Sequence, residues 1–151
     1  MTDQDLTLAI TVDRTPEAVF AALNDVRSWW TGAIEGDADR VGAEFTYRHE
    51  ALHRSRQRVT ELVPGKRVVW HVVEGHLSFA SNPNEWTGTD IVFDIVPRGA
   101  RTEVRLTHVG LRPACDCYGA CSRGWSAFFG GNFPRFLETG QAQPSPFAKA
   151  G

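Results

Sequence analysis

The chain has 151 residues, 42% of them hydrophobic. That supports one sizeable core and leaves too little for two comfortable domains. With 16 basic and 18 acidic residues the net charge is -2, which gives no reason to expect nucleic acid or an anionic membrane as a partner. The start, MTDQD, has neither the basic residues nor the apolar run of a secretory signal, and no apolar stretch reaches the roughly 18 to 20 residues of a membrane span. A cytoplasmic protein is the expectation. Cys115, Cys117 and Cys121 fall within seven residues, an odd and local set that suits a reducing compartment better than a disulfide framework.

Residues 6–13 alternate, with Leu6, Leu8, Ile10 and Val12 on one face, and predict a half-buried strand. Thr15-Pro16-Glu17 supplies an N-cap, a first-turn proline and an early acid, the signature of a helix start. Ala18, Val19, Ala22 and Leu23 then recur at helical spacing. Asp25 is positioned to cap a second short helix carrying Trp29 and Trp30.

From residue 44 the period becomes two. Phe45, Tyr47 and His49 share one strand face. Residues 54–63 follow as a strand with Arg54, Arg56 and Arg58 on one side and Ser55, Gln57 and Val59 on the other. The basic row reads as a solvated ladder that blunts a sheet edge. Pro64-Gly65-Lys66 is a turn. Residues 67–74 are strongly β-prone but apolar almost throughout, so their facing is open. Residues 75–86 form a Gly/Ser/Asn/Pro-rich excursion whose Leu77, Phe79 and Trp86 are expected to pack on the body or cover an opening. Two further strands cover 87–97, with Thr89, Ile91, Phe93 and Ile95 on one face, and 101–108, with Thr102, Val104, Leu106 and His108 aligned.

The last element is helical, from about Asp116 to Glu138, with an apolar stripe of Cys117, Cys121, Trp125, Phe128, Phe129 and Phe136. Gly130, Gly131 and Pro134 inside it predict a kink or break near Gly130. The tail from Gly140 is expected to be loose. One strand, two helices, five turn-linked strands and a long helix make an α+β domain. A curved antiparallel sheet is covered by the helix, with a space enclosed between them.

In this order the elements resemble the START-like or Bet v 1-like (SRPBCC) superfamily, whose fold is the helix-grip. The chain looks most like the bacterial proteins grouped with the C-terminal domain of the activator of Hsp90 ATPase. The resemblance is carried by the first strand with Thr15-Pro16-Glu17-Ala18-Val19-Phe20, by Trp29-Trp30, and by Val59 to Pro64 with Arg67-Val68-Val69. Further on it is carried by Glu85-Trp86-Thr87-Gly88-Thr89, Phe93-Asp94-Ile95, Thr107-His108-Val109-Gly110-Leu111, and Cys117 to Cys121 with Gly124-Trp125. It covers roughly residues 6–144 and implies a single domain over 1–151 with its core at about 6–140. The superfamily includes lipid and hormone binders, polyketide cyclases and aromatases, so fold alone leaves function open.

The expected site is a cavity between sheet and C-terminal helix. It would be lined from the sheet by Tyr47, His49, Gln57, Val59, Phe93, Leu106 and His108, and from the helix by Trp125, Phe128 and Phe129. Mostly apolar walls with a few polar groups suit a small hydrophobic or aromatic ligand. No cofactor and no metal are expected: the three cysteines fall short of a structural zinc set and read mainly as packing residues. His49 or His108 would be the acid or base of an enzyme built on the same cavity, of the cyclase, aromatase or hydrolytic type, although each alone reads more readily as a structural histidine. An Hsp90-activator-like interaction module is the third reading, and a homodimer is compatible with all three. GxSxG, Walker and GxGxxG motifs are absent, which takes support from the serine-hydrolase and nucleotide readings that those motifs mark.

Overall fold

The structure, a computed structural model, describes residues 5–30, 33–49, 53–78, 80–115 and 117–142. Seven antiparallel strands form one sheet: β1 (Leu6–Val12), β2 (Ala33–Gly36), β3 (Glu44–His49), β4 (His53–Val63), β5 (Arg67–Leu77), β6 (Asp90–Arg98) and β7 (Arg101–Val109). The order is β1-β7-β6-β5-β4-β3-β2. From β2 to β7 it is a meander, as turn-linked strands require. Helix α1 (Pro16–Asn24) and a 3-10 turn (Val26–Ser28) carry the chain from one edge of the sheet to the other.

Local chemistry starts α1 as its sequence predicts. Thr15 accepts from the Ala18 N–H at 3.1 Å, Pro16 occupies the first turn, and Val19, Ala22 and Leu23 are buried. The second short helix is a single 3-10 turn. Asp25 does not cap its backbone but accepts from the Ser28 hydroxyl at 2.9 Å. An Arg27 guanidinium N–H donates to the Gly36 carbonyl and ties this turn to β2.

The alternation assigned to β1, β3, β4, β6 and β7 matches their inner faces. Phe45, Tyr47, Ser55, Gln57, Val59, Ile91, Phe93, Ile95, Thr102, Val104, Leu106 and His108 are all buried. The undecided facing of β5 resolves with Val68, Trp70 and Val72 inward and His71 outward, bonded to Asp90 at 2.8 Å. Register shifts between Arg56 and Gln57 and between Val59 and Glu61 break the β4–β5 ladder. Such bulges bend a sheet and increase its twist, and here they produce concavity beneath the helix. The arginine row is on the outer face, where Arg54 meets Glu74 and Arg58 meets Glu44, each at 2.8 Å. Because β4 is interior to the sheet, the row blunts no edge, and such exposed pairs contribute little stability.

The C-terminal helix runs as α2 (Tyr118–Ala127), a π turn (Phe128–Asn132) and α3 (Phe133–Thr139). The irregularity expected near Gly130 is this widened turn. Pro134 has no N–H for a Gly130 carbonyl. The π turn places Pro134 within the first turn of α3, where that N–H is not needed, while the Phe133 N–H reaches the Phe128 carbonyl. Gly140, at φ +70°, ends the helix with its N–H on Phe136 O. Asp116, Phe79 and the tail from residue 143 lie outside the described residues. No helix among the described residues is long and apolar enough to cross a membrane.

Gly75 lies buried on β5, and a Cβ there would sit 2.8 Å from the Trp86 Cβ. Gly75→Ala should therefore lower stability by about 1–3 kcal/mol, the usual range for overpacking, and shift Trp86. Urea unfolding and tryptophan fluorescence would read both effects.

Candidate ligand cavity

A cavity of about 290 Å³ lies between the sheet and α2. The sheet contributes Tyr47 and His49 at the end of β3 and His53 at the start of β4. The helix contributes Ala120, Cys121, Gly124, Trp125 and Phe128. Trp30 closes one side, and Trp86 enters from the loop after β5.

The loop is held in a definite path. The Thr87 hydroxyl accepts from the Gly75 N–H at 3.0 Å and bonds back to the Gly75 carbonyl at 3.2 Å. The Leu77 N–H reaches Pro83 O, and the Gly88 N–H reaches Val72 O. This fixes Trp86 parallel to Trp125, with ring centroids 6.0 Å apart and planes 2° apart. One residue earlier, the Glu85 carboxylate accepts from the Cys117 N–H at 3.0 Å. Glu85 thereby caps a helix whose own N-cap side chain makes no such bond.

His108 organises the wall behind these rings. The Trp125 indole N–H donates to its Nδ1 at 3.1 Å, so Nδ1 must be the unprotonated nitrogen. Nε2 then donates to the Thr89 hydroxyl at 2.9 Å, and that hydroxyl donates to the Trp86 carbonyl at 2.6 Å. Burial pushes His108 down to about pKa 3, so the neutral ring persists. His53 is likewise pushed down to about 3, by burial first and a neighbouring His49 second, and its Nε2 lies 2.9 Å from the Ser55 hydroxyl. Burial raises the Tyr47 phenol to about 12, against the opposing effect of a hydrogen bond with Trp30.

Cys117 and Cys121 are free thiols hydrogen-bonded to each other. This contact pushes the Cys117 thiol up and the Cys121 thiol down. The Trp86 indole N–H also points to Cys121 Sγ, at 3.3 Å. Cys115 stands apart, with its sulfur 3.7 Å from Gly110 O. The two helical thiols are packing residues, one of which also borders the cavity.

Of the residues that the sequence places around a ligand, Tyr47, His49, Trp125 and Phe128 border this cavity. Val59, Phe93, Leu106 and Phe129 are fully buried in the core below it, and His108 lies behind Trp86 and Trp125. Gln57 is buried on β4 without bordering the cavity. The deeper part of the gap is filled by rings. Trp70 stacks on Trp29 and Trp30, and Phe93 meets the edges of Trp29 and Trp70. Sequence reasoning did not include Trp30, His53, Trp86, Ala120, Cys121 and Gly124 in the lining. His53 was within reach of it, because the inner face of Ser55, Gln57 and Val59 extends to residue 53 by the same period of two.

A curved antiparallel sheet gripping a long C-terminal helix over an aromatic cavity defines the helix-grip class of the SRPBCC superfamily. Within it the chain belongs to the family described as Activator of Hsp90 ATPase homolog 1-like protein, whose sequence model matches residues 13–138. No curated protein matches the chain significantly in sequence. The solved structures include the Aha1 dimer from Colwellia psychrerythraea, 29% identical with a TM-score of 0.72 over 93% of this chain and 98% of that one. DynU16, a putative protein of the dynemicin biosynthetic locus, is 17% identical with a TM-score of 0.69, over 93% of this chain and 49% of that one. CalU16 from Micromonospora echinospora is 15% identical with a TM-score of 0.62, over 88% of this chain and 74% of that one. The last two likenesses show the fold alone.

The two depressed histidines couple folding to pH. In the unfolded chain they take up protons near pH 6.5, whereas in the folded chain they do so only near pH 3. The stability they permit is complete above about pH 6.5 and is lost as pH falls through that window, by about 1.4 kcal/mol per pH unit for each histidine. Urea unfolding between pH 7 and pH 4 should show this slope. His53→Gln and His108→Gln should each flatten it by about one histidine's share, whatever they do to stability at pH 7.

Proposed function

We propose that this protein binds a small hydrophobic or aromatic molecule in the cavity between its sheet and C-terminal helix. The observation that carries this reading is the lining: five aromatic side chains, Trp30, Tyr47, Trp86, Trp125 and Phe128, around about 290 Å³. Apolar concave walls with a few fixed polar groups are what small-molecule sites share. The walls are also braced by hydrogen bonds behind them, so little ordering remains to be done when a ligand enters.

An enzyme using the same cavity has weaker support. His53, which borders it, stays neutral down to about pH 3 and has its Nε2 occupied by Ser55, which makes it a feeble base near neutrality. An interaction module like the Hsp90 activators would need an apolar docking face. The large hydrophobic side chains exposed among the described residues are Val41 and Val109, on well-separated parts of the fold. The dimer reported for the Colwellia protein supports a homodimer as the assembly in which binding should be measured.

Gly124 offers a direct test. It borders the cavity, and a Cβ there meets nothing within 4 Å. Gly124→Phe should fill the space from the helix without straining it. With 2-naphthol as probe, read by quenching of tryptophan emission, the wild type should saturate and the variant should bind at least about tenfold more weakly at an unchanged or higher melting temperature. Equal affinity in the two proteins, or no uptake by the wild type, would overturn the reading.

A further inference from the structure

The buried polar side chains of the described residues are Ser55, Gln57, Thr89, Thr102, His108 and Asn132. Five have partners. Ser55 meets His53, Thr89 and His108 meet each other, Thr102 donates to Arg14 O, and Asn132 donates to Trp29 O. Gln57 has none: neither its amide oxygen nor its amide nitrogen is bonded. The tryptophans divide the same way. Trp29 donates to Leu23 O, Trp86 to Cys121 and Trp125 to His108, and Trp30 bonds Tyr47. The indole N–H of Trp70, fully buried, is unpartnered.

These two exceptions are neighbours. Gln57 pairs with Val72 across β4 and β5, and Val59 pairs with Trp70. Gln57 and Trp70 are therefore diagonal on the inner face, the relation in which long side chains meet. Trp30 packs on Trp70. Its ring is 4.5 Å from Tyr47 and 6.0 Å from Phe45, both on β3, and 6.0 Å from Trp70 on β5. Phe45 and Tyr47 on β3 and Trp70 on β5 flank β4, the strand that carries Gln57, so the Trp30 ring packs among the inner-face side chains around it. Trp30 also borders the cavity, with its ring 5.3 Å from that of Trp125. Trp30 is thus a ring shared by the apolar cavity and by the packing around the unpartnered amide and indole N–H.

We infer that Gln57 and Trp70 form a polar anchor for an uncharged aromatic ligand bearing a hydroxyl, which reaches them by displacing the Trp30 ring. A phenolic hydroxyl has the chemistry that both groups lack a partner for: its O–H can donate to Gln57 Oε1 and its oxygen can accept from Trp70 Nε1–H. The inference rests on the cavity-binding reading and narrows its ligand class. Without an anchor the hydroxyl would be a handicap, since it must leave water for an apolar site. With an anchor the preference reverses, because a site with unmatched buried polar groups discriminates strongly for the ligand that matches them.

The test compares naphthalene with 2-naphthol by tryptophan quenching, on wild type and Gln57→Met, a substitution that keeps volume and removes no hydrogen bond within the protein. Wild type should favour 2-naphthol by about tenfold or more, the worth of one well-made hydrogen bond in a buried site. Gln57→Met should weaken 2-naphthol alone and erase the preference. In wild type the Trp70 indole N–H resonance should move with 2-naphthol and stay with naphthalene, a measurement that holds even if Gln57→Met folds poorly. Equal affinities in wild type, with Gly124→Phe blocking both probes, would leave the cavity reading intact and overturn the anchor. So would a preference that survives Gln57→Met, or a Trp70 resonance that ignores the hydroxyl because a resident water already holds it. Uptake of neither probe would overturn both readings.

Discussion

The hydrogen bond from the Trp125 indole to His108 Nδ1 joins the C-terminal helix to strand β7 of the sheet, and the cavity wall depends on it. Because an indole nitrogen only donates, the bond forces His108 into one neutral tautomer. That tautomer presents Nε2–H to Thr89, whose hydroxyl donates in turn to the Trp86 carbonyl. Helix, strand β7 and the loop after β5 are thereby locked by one polar chain buried in an apolar core. Breaking any link leaves a buried donor or acceptor unmatched, at a cost of about 1–3 kcal/mol. Trp86 and Trp125 are therefore fixed at the parallel 6.0 Å spacing that forms the cavity wall.

The position of the cavity follows from how the remaining rings are distributed. Bulges in the β4–β5 ladder bend the sheet beneath the helical layer. At the α1 side the resulting gap is filled by Trp29, Trp70, Phe93, Phe129 and Phe133, all fully buried. At the other end the helix presents Ala120 and Gly124. Small residues where the opposite wall is concave leave room that neither side fills. The cavity is thus the result of a specific pairing of large and small side chains across one gap, and its volume is set by residues that do no more than stay small.

Much of this was legible from periodicity. Alternation in 44–49, 54–63, 87–97 and 101–108 assigned inner faces that the structure reproduces, because each strand has one wet side and one dry side. Strand β2 was not legible. Four residues, Ala33-Ile34-Glu35-Gly36, carry too short an alternation to stand out, and the strand exists by pairing with β3. The extent of the cavity was not legible either. Phe93 and Leu106 face inward as their pattern demands, but whether an inward side chain borders space or another ring depends on what crosses from the helical layer. Trp30, which packs between rings of β3, β5 and the C-terminal helix, comes from a segment without periodic signal. The π turn shows the opposite case: Gly130, Gly131 and Pro134 announced an irregularity in the helix, and the backbone resolved it by widening one turn.

The electrostatics of the cavity point in the same direction as its shape. His108 and His53 are neutral at physiological pH, and the Tyr47 phenol holds its proton to about pH 12. Helix α2 begins beside the cavity, and an uncapped helix start would present partial positive charge there and favour an anion. Glu85 removes that preference by placing a carboxylate on the Cys117 N–H. The loop that brings Trp86 to the wall thus also brings the group that cancels the field of the helix. A charged ligand would leave water for walls made mostly of apolar rings, a heavy desolvation cost. An uncharged aromatic molecule incurs no such cost and gains contact with five rings.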